Sequence, residues 1–278
     1  MSKLVECVPN FSEGADLALV DEIVAAIKTA KVLNVHSDPD HNRSVVTILG
    51  EPDAVMLAAF SLTERAVQLL DINEHVGEHP FIGVMDVIPF IPVKEISIPA
   101  TVALAKELAG ELWNKLKLPV YFYGAAAVNP NRKELPAVRR GSYPPDVGSG
   151  LHPTAGAVAV GVRDYLIAFN VNLTTNDLSI AQSIAKNIRE KSEGLPGVRA
   201  LGIDLKSRGI TQVSINITDH KTTSLKQVFD EVKRWAKEYQ VGIIESELVG
   251  MLPQAAVFQG MKNLLKLRNY SDEYILSN

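Results

Sequence analysis

The order of apolar stretches constrains this chain more than any other property, because one pattern of elements runs through it twice. Leu4 to Val8 reads as a strand and Leu17 to Ala30 as an amphipathic helix, followed by strands at Val32 to His36 and Ser44 to Gly50. Pro52 suits the first turn of a helix reaching about Leu70, and a strand follows at Val84 to Ile91. A helix at about Pro99 to Leu116 and a strand at Val120 to Gly124 extend the series. From Tyr165 the pattern restarts with the alternating YLIAFNVNL, a helix at about Asp177 to Glu190, and strands at Val198 to Leu205 and Ile210 to Thr218. The helix Leu225 to Tyr239, the strand Val241 to Leu248 and a last helix from about Gln254 to Leu267 complete it. Each pass begins β-α-β-β-α-β, the split order that lays helices on one face of an antiparallel sheet. The predicted fold is therefore α+β, an α/β sandwich of two ferredoxin-like subdomains, at residues 1–165 and 166–278. The halves share this order without a clear sequence repeat.

The chain is long enough for two such cores, with 278 residues of which 46% are hydrophobic. With 28 basic against 32 acidic residues it lacks the basic excess of a nucleic-acid surface, so small molecules are the expected partners. No run approaches the roughly 18 apolar residues that span a bilayer, and the opening MSKLVECVPNF lacks a signal-peptide core. A cytoplasmic protein without a membrane partner is expected. Cys7, the single cysteine, cannot close an intramolecular disulfide, and its apolar neighbours point to a buried structural thiol.

In the second half the first and third strands of the split order lie side by side. Ile167, Phe169, Val171 and Leu173 would face the helices with Val213, Ile215 and Ile217, leaving Asn170, Asn172, Gln212, Ser214 and Asn216 on the other face. Such a charge-free carpet of hydrogen-bonding groups suits a polar ligand or an opposing sheet, although a solvated open sheet would also carry it.

Three stretches hold the chemistry. Residues 75–86, HVGEHPFIGVMD, combine two histidines, a carboxylate, two glycines and a proline. HVGEH has the spacing of one class of zinc peptidases, but that mechanism needs a regular helix. Gly77 interrupts the pair and Pro80 disfavours helical geometry at His79, so no metal is expected. A histidine held by a following proline beside a strand suits a general acid or base, which is the role expected of His79. His75 reads as a histidine bonding a backbone carbonyl. In the turn Ser37 to Arg43 the carboxylates Asp38 and Asp40, His41 and Arg43 converge, as a site or as a solvated turn. The third stretch is Gly148, Ser149, Gly150, Leu151, His152, Pro153, Thr154, Ala155 and Gly156, followed by Gly161 to Arg163. Its glycines permit close backbone approach to a ligand, and serve equally as linker.

These stretches, with VECVPNFSEG at the start, resemble the formiminotransferase family of histidine and one-carbon metabolism. The matching pieces are VECVPNFSEG, HNRSV, GEHPFIGVMDVIPFIPV, LPVYFYG, LIAFNVNL, QVSINITD and SELVGMLP, spread over the whole chain. The resemblance implies transfer of a formimino group between N-formimino-L-glutamate and tetrahydrofolate, on two α/β subdomains in a homodimer. It places the catalytic histidine at His79 and the folate-binding glycine segment at Gly148 to Gly156. One imidazole of ordinary pKa, about 6.5, could carry a proton from the folate nitrogen to the leaving glutamate nitrogen. Asp38, Asp40 or Glu78 could favour the cationic amidine. Arg43, Arg163, Arg139 or Arg140 would meet substrate carboxylates, with Arg139 or Arg140 read as a surface solubiliser. Arg43, Arg163, Asn170, Asn172, Gln212 and Asn216 are assigned to folate with the glycine segment. Phe81 stands where the family often has arginine, and the segment before Gly148 is shorter than in animal members. Nothing after Asn278 could supply a cyclodeaminase domain, so a separate protein would process the product. The alternatives are a related transferase using formiminoglycine or 5-formyltetrahydrofolate, and a non-catalytic folate-binding protein.

Overall fold

In the computed structural model, which describes residues 3–140, 143–268 and 270–276, internal contacts divide the chain into two units, residues 1–164 and 165–278. The first runs β1 (Leu4–Cys7), β2 (Asn10–Phe11), α1 (Leu17–Val24), β3 (Lys31–Asp38), β4 (Arg43–Gly50), α2 (Pro52–Leu69), β5 (Met85–Lys94), α3 (Ile98–Leu116), β6 (Val120–Gly124), α4 (Leu135–Arg140) and β7 (Val158–Val162). β1 and β2 fill successive stretches of one slot between β4 and β5, and β3 pairs the other edge of β4. These pairings are all antiparallel and reproduce the ferredoxin-like order. β7 and then β6 extend the sheet beyond β5 in parallel.

Alternation divides the two faces. Val5, Cys7, Phe11, Val46, Ile48, Ile88, Phe90 and Val160 are buried with α1, α2 and α3 in one core. Side chains of Asp16 and Ser97 cap the first turns of α1 and α3, satisfying backbone amides that have no partner within the helix. Glu6, Asn10, Arg43 and Tyr123 belong to the opposite face.

Several expectations require correction. The helix from Leu17 stops at Val24 rather than Ala30, where Ala26 and Ile27 bond three residues back and tighten the chain out of α-geometry. The segment read as a glycine junction contains β7, an inner strand made of small residues whose apolar run shows no alternation. Gly161 is required there, since a Cβ would lie 2.4 Å from the Tyr123 ring. The unforeseen α4 lies on the face opposite the other helices, where Leu135 and Val138 pack with Val87, Tyr123 and Ala159.

The second unit runs β8 (Ile167–Leu173), α5 (Leu178–Ile188), β9 (Val198–Leu205), β10 (Ile210–Ile217), α6 (Leu225–Glu238), β11 (Ile243–Val249), β12 (Leu252–Pro253), α7 (Met261–Leu264) and β13 (Ile275–Leu276). Its main sheet has the order β11-β8-β10-β9, the ferredoxin-like arrangement in full. Asn172 stands opposite Gln212 and Asn170 opposite Ser214, so these side chains share one face. Ile167, Phe169, Val171, Val213, Ile215 and Ile217 pack against α5 and α6 on the other, as the alternation predicts. The helix expected over Gln254 to Leu267 is broken: Gly260 takes a left-handed conformation at φ 76° and leaves only the turn of α7.

The polar face of this sheet is not charge-free. β11 brings Glu245 and Glu247 alongside β8, where Asn172 donates to Glu245 at 3.1 Å and Asn170 to Glu247 at 3.1 Å. Gln212 donates to Asn172 at 2.9 Å and to Glu247 at 3.2 Å. Arg268 pairs with both glutamates and Arg208 with Glu245 at 2.8 Å. Asn170, Asn172 and Gln212 are buried within this network, and Asn216 lies exposed at its end. Amides can be buried so because each finds a charged or amide partner. Among the described residues no helix is long and apolar enough to cross a membrane.

Candidate active site

The four stretches singled out in the first half meet in the first unit. Residues 75–79 are irregular rather than helical, which removes the geometry a zinc-binding histidine pair would need. They lie against the turn between β3 and β4. The Glu78 amide donates to the Asp40 carbonyl at 3.1 Å, and the Asn42 side chain to the Val76 carbonyl at 2.9 Å. A Cβ on Gly77 would stand 2.4 Å from the His41 carbonyl, so only glycine allows this approach. The turn is closed by Asp38, whose carboxylate accepts from the amides of Asp40 at 2.9 Å and His41 at 2.8 Å. Asp38 thus shapes the turn. The side chain of Glu78 is exposed.

Downstream of His79 the chain is stitched to the glycine segment. The Val84 amide donates to Ala155 at 3.0 Å, and the Ala157 amide to Ile82 at 3.1 Å. The Ile72 amide donates to Thr154 at 2.7 Å and the Asn73 side chain to Pro153 at 2.9 Å. Residues His152 and Gly156 bond each other twice, and the His152 ring accepts from the Ala155 amide at 3.0 Å. His152 therefore organises its own hairpin, while Ser149, Gly150 and Leu151 stay exposed. The opening stretch joins through Ser12, whose hydroxyl donates to Gly83 at 2.9 Å, and through Asn10.

Beneath this loop lies a charge cluster of which only Arg43 was assigned a role from the sequence. The register between β2 and β5 slips, Asn10 facing Val87 and Phe11 facing Met85, so Asp86 is the extra residue of a bulge. Its buried carboxylate accepts from Arg43 at 2.6 Å, from Arg139 and from the Ile82 amide at 3.2 Å. Arg43 also donates twice to the Asn10 side-chain oxygen, at 2.7 and 3.1 Å. Burial alone would raise the Asp86 carboxyl, but Arg43 and Arg139 overcome it and hold the group down at about 2. Arg139 is thus an ion-pair partner at the site rather than a surface solubiliser; Arg140 is exposed. One signal for Asp86 was present in the sequence. A lone carboxylate within the apolar run VMDVIPF is costly unless cations meet it.

Further along the same face stand Glu6, Tyr123 and Arg163. Burial pushes the Glu6 carboxyl up to about 7 against the pull of Arg163, and the Tyr123 phenol up to about 12 despite its bond to Arg163. Arg163 itself is half-buried and donates to the Asp164 carbonyl at 2.9 Å. Asn170, Asn172, Gln212 and Asn216 belong to the second unit, in the network already described.

His79 is half-buried. Its Nδ1 lies 2.8 Å from the Pro80 carbonyl, which can only accept, so Nδ1 carries the proton and Nε2 keeps its lone pair. Burial first, then the charges of Arg43 and Arg139, hold this imidazole well below its ordinary pKa. His75, half-buried and likewise depressed by burial, packs its ring edge-on to Phe81 at 4.6 Å. Cys7 is buried, with its thiol pushed well above the usual range.

A base kept unprotonated above two guanidinium groups that share one carboxylate fits an enzyme that moves protons on a negatively charged substrate. The comparisons with known proteins narrow that class. Residues 4–163 match the N-terminal subdomain of the formiminotransferase domain and residues 168–273 match the formiminotransferase domain. The chain belongs to the formiminotransferase family. It is 38% identical to a glutamate formimidoyltransferase of Thermoplasma acidophilum over 98% of this chain and 96% of that protein. To a protein of the same description from Streptococcus pyogenes it is also 38% identical, over 100% and 99%. The formimidoyltransferase-cyclodeaminase of Mus musculus is 40% identical over 92% of this chain and 51% of its own length.

Proposed function

We propose that this protein is a glutamate formimidoyltransferase, converting N-formimino-L-glutamate and tetrahydrofolate to L-glutamate and 5-formimidoyltetrahydrofolate. The observation that carries the reading is the His79 imidazole, with Nδ1 tied to the Pro80 carbonyl and Nε2 ready to accept a proton. N5 of the folate attacks the formimino carbon, and His79 Nε2 takes the proton that N5 loses. The same nitrogen returns the proton to the glutamate nitrogen as its bond to carbon breaks, so no proton is gained or lost overall. The cluster at Asp86 carries two guanidinium groups for one carboxylate, an excess of positive charge suited to a dicarboxylate donor. Asp40 and Glu78 are assigned to the cationic amidine, while Asp38 acts through the turn it closes.

Folate is assigned to the main chain of Gly148 to Gly156 and to Arg43 and Arg163, whereas Asn170, Asn172 and Gln212 are occupied by the buried network of the second unit and are not part of this assignment. The functional form is a cytoplasmic homodimer. No metal takes part in this scheme. The experiment is an acid-developed assay in which the product is converted to 5,10-methenyltetrahydrofolate and read by absorbance. Formiminoglutamate should support turnover, and His79→Ala should remove roughly 10²- to 10⁴-fold of it while the fold persists. Transfer from formiminoglycine or from 5-formyltetrahydrofolate, with none from formiminoglutamate, would replace the donor. Tight tetrahydrofolate binding without transfer from any donor would leave a folate-binding protein.

A further inference from the structure

The reaction scheme uses one imidazole, yet a second one lies against it. His41 is 7% exposed, and its ring is stacked on that of His79 with centroids 5.8 Å apart and planes 26° apart. That separation falls within the range in which ring pairs attract. The position of His41 is fixed by its own turn, through the bond from its amide to Asp38 and through Asn42, which adopts a left-handed conformation at φ 46°. Its carbonyl is the surface on which Gly77 rests, so the backbone of His41 supports the loop while its ring meets the base.

We propose that His41 is a positioning residue for the transfer reaction, its buried imidazole backing the ring of His79 through the stack. The inference rests on the formimino-transfer reading for its catalytic consequence, but the stack itself can be tested without turnover. A bond from Nδ1 to the Pro80 carbonyl fixes only one edge of the His79 ring; a planar group on its face is needed to stop rotation about that bond. The backing also acts electrostatically, because any positive charge on His41 opposes protonation of His79. The other charged groups around the pair are Arg43 on β4, Arg139 on α4 and Asp86 on the β5 bulge, with Asp38 and Asp40 in the turn and His75 and Glu78 in the loop.

Two substitutions separate the flat ring from the charge. His41→Phe keeps an aromatic face without an ionisable nitrogen, and His41→Ala removes both. In the full-length protein without substrate, imidazole NMR should show His79 titrating at higher pH in both variants than in the parent. In the acid-developed assay His41→Ala should lower kcat at least tenfold with little change in KM, and His41→Phe should recover kcat to within about threefold of the parent at a pH where His79 is unprotonated. Fluorescence of Trp113 during urea unfolding, in a Trp235→Phe background, checks that each variant is folded. An unchanged His79 titration overturns the proposal, as does parental kcat in His41→Ala or failure of His41→Phe to restore it. Should the parent transfer no formimino group from any donor, the reaction assignment fails by itself, and the His79 titrations still decide whether His41 acts on that ring.

Discussion

Replacing Asp86 by Asn keeps its shape and removes its charge, and the structure sets the size of the response. The parent carboxylate is fully buried and meets Arg43, Arg139 and the Ile82 amide. Its carboxyl is displaced from an ordinary 3.8 to about 2, and at 1.36 kcal/mol per unit this corresponds to about 2 kcal/mol of linked stability. Asparagine also leaves the two guanidinium groups, 9% and 14% exposed, without their counter-charge and turns an amide donor toward them. Breaking a buried ion pair in this way costs about 3 to 5 kcal/mol, which is the loss expected near neutral pH. The protein has two tryptophans, Trp113 on α3 and Trp235 on α6, so in a Trp235→Phe background Trp113 reports the first unit alone. Urea unfolding of that background with and without Asp86→Asn gives the difference. Because the native carboxyl is depressed, its contribution is complete above its unfolded pKa of 3.8 and is lost as pH falls toward about 2, so the gap between the two proteins should narrow there by about 2 kcal/mol. A loss below about 1 kcal/mol at neutral pH, or a difference that persists undiminished at pH 2, would refute the reasoning.

Three further outcomes are expected. Gly83→Ala would place a Cβ 2.1 Å from the Ala157 carbonyl, so it should cost about 1 to 3 kcal/mol, lower turnover, and speed hydrogen exchange at the Val84 and Ala157 amides. In the proposed scheme His79 acts without its second proton, and its pKa is lowered, so kcat/KM should stay level through neutral pH and fall only well below the ordinary histidine value of about 6.5; an acid limb at or above that value would contradict the electrostatics. Gln212→Leu deprives Asn172 and Glu247 of a buried donor and should destabilise the second unit by about 1 to 3 kcal/mol, measured at Trp235 after removal of Trp113.

Strand order was legible where hydrophobic period and turn residues agreed. In the second unit the alternation in YLIAFNVNL and ITQVSINI put the same side chains on the same faces that the register between β8 and β10 does. β7 was hidden because a parallel inner strand needs no alternation, and its glycines look like linker until the Tyr123 ring is seen against Gly161. At the site, the irregular backbone of residues 75–79 could be read from the sequence, since Gly77 and Pro80 already exclude a helix. Asp86, Asn10 and Arg139 could not be assembled in the same way. They lie on a bulge, a two-residue strand and a short helix, and only the paired sheet brings them within hydrogen-bonding distance. The charged partners of the amide face are illegible for a similar reason, as Glu245 and Glu247 come from β11, which only the folded sheet brings alongside β8.

The His79 loop is held from both sides largely by main-chain bonds, from Glu78 to Asp40, from Val84 to Ala155 and from Ala157 to Ile82. Backbone stitches of this kind are indifferent to the identity of the side chains they join. Val76, Phe81 and Leu151 are exposed around that frame, so their replacement leaves the seams intact. The rim can therefore drift during evolution, or be rewritten by design, while the imidazole stays where it is. Under the role proposed for His79, separation of a changeable rim from a fixed imidazole gives this scaffold room to acquire new donor preferences without first losing its chemistry.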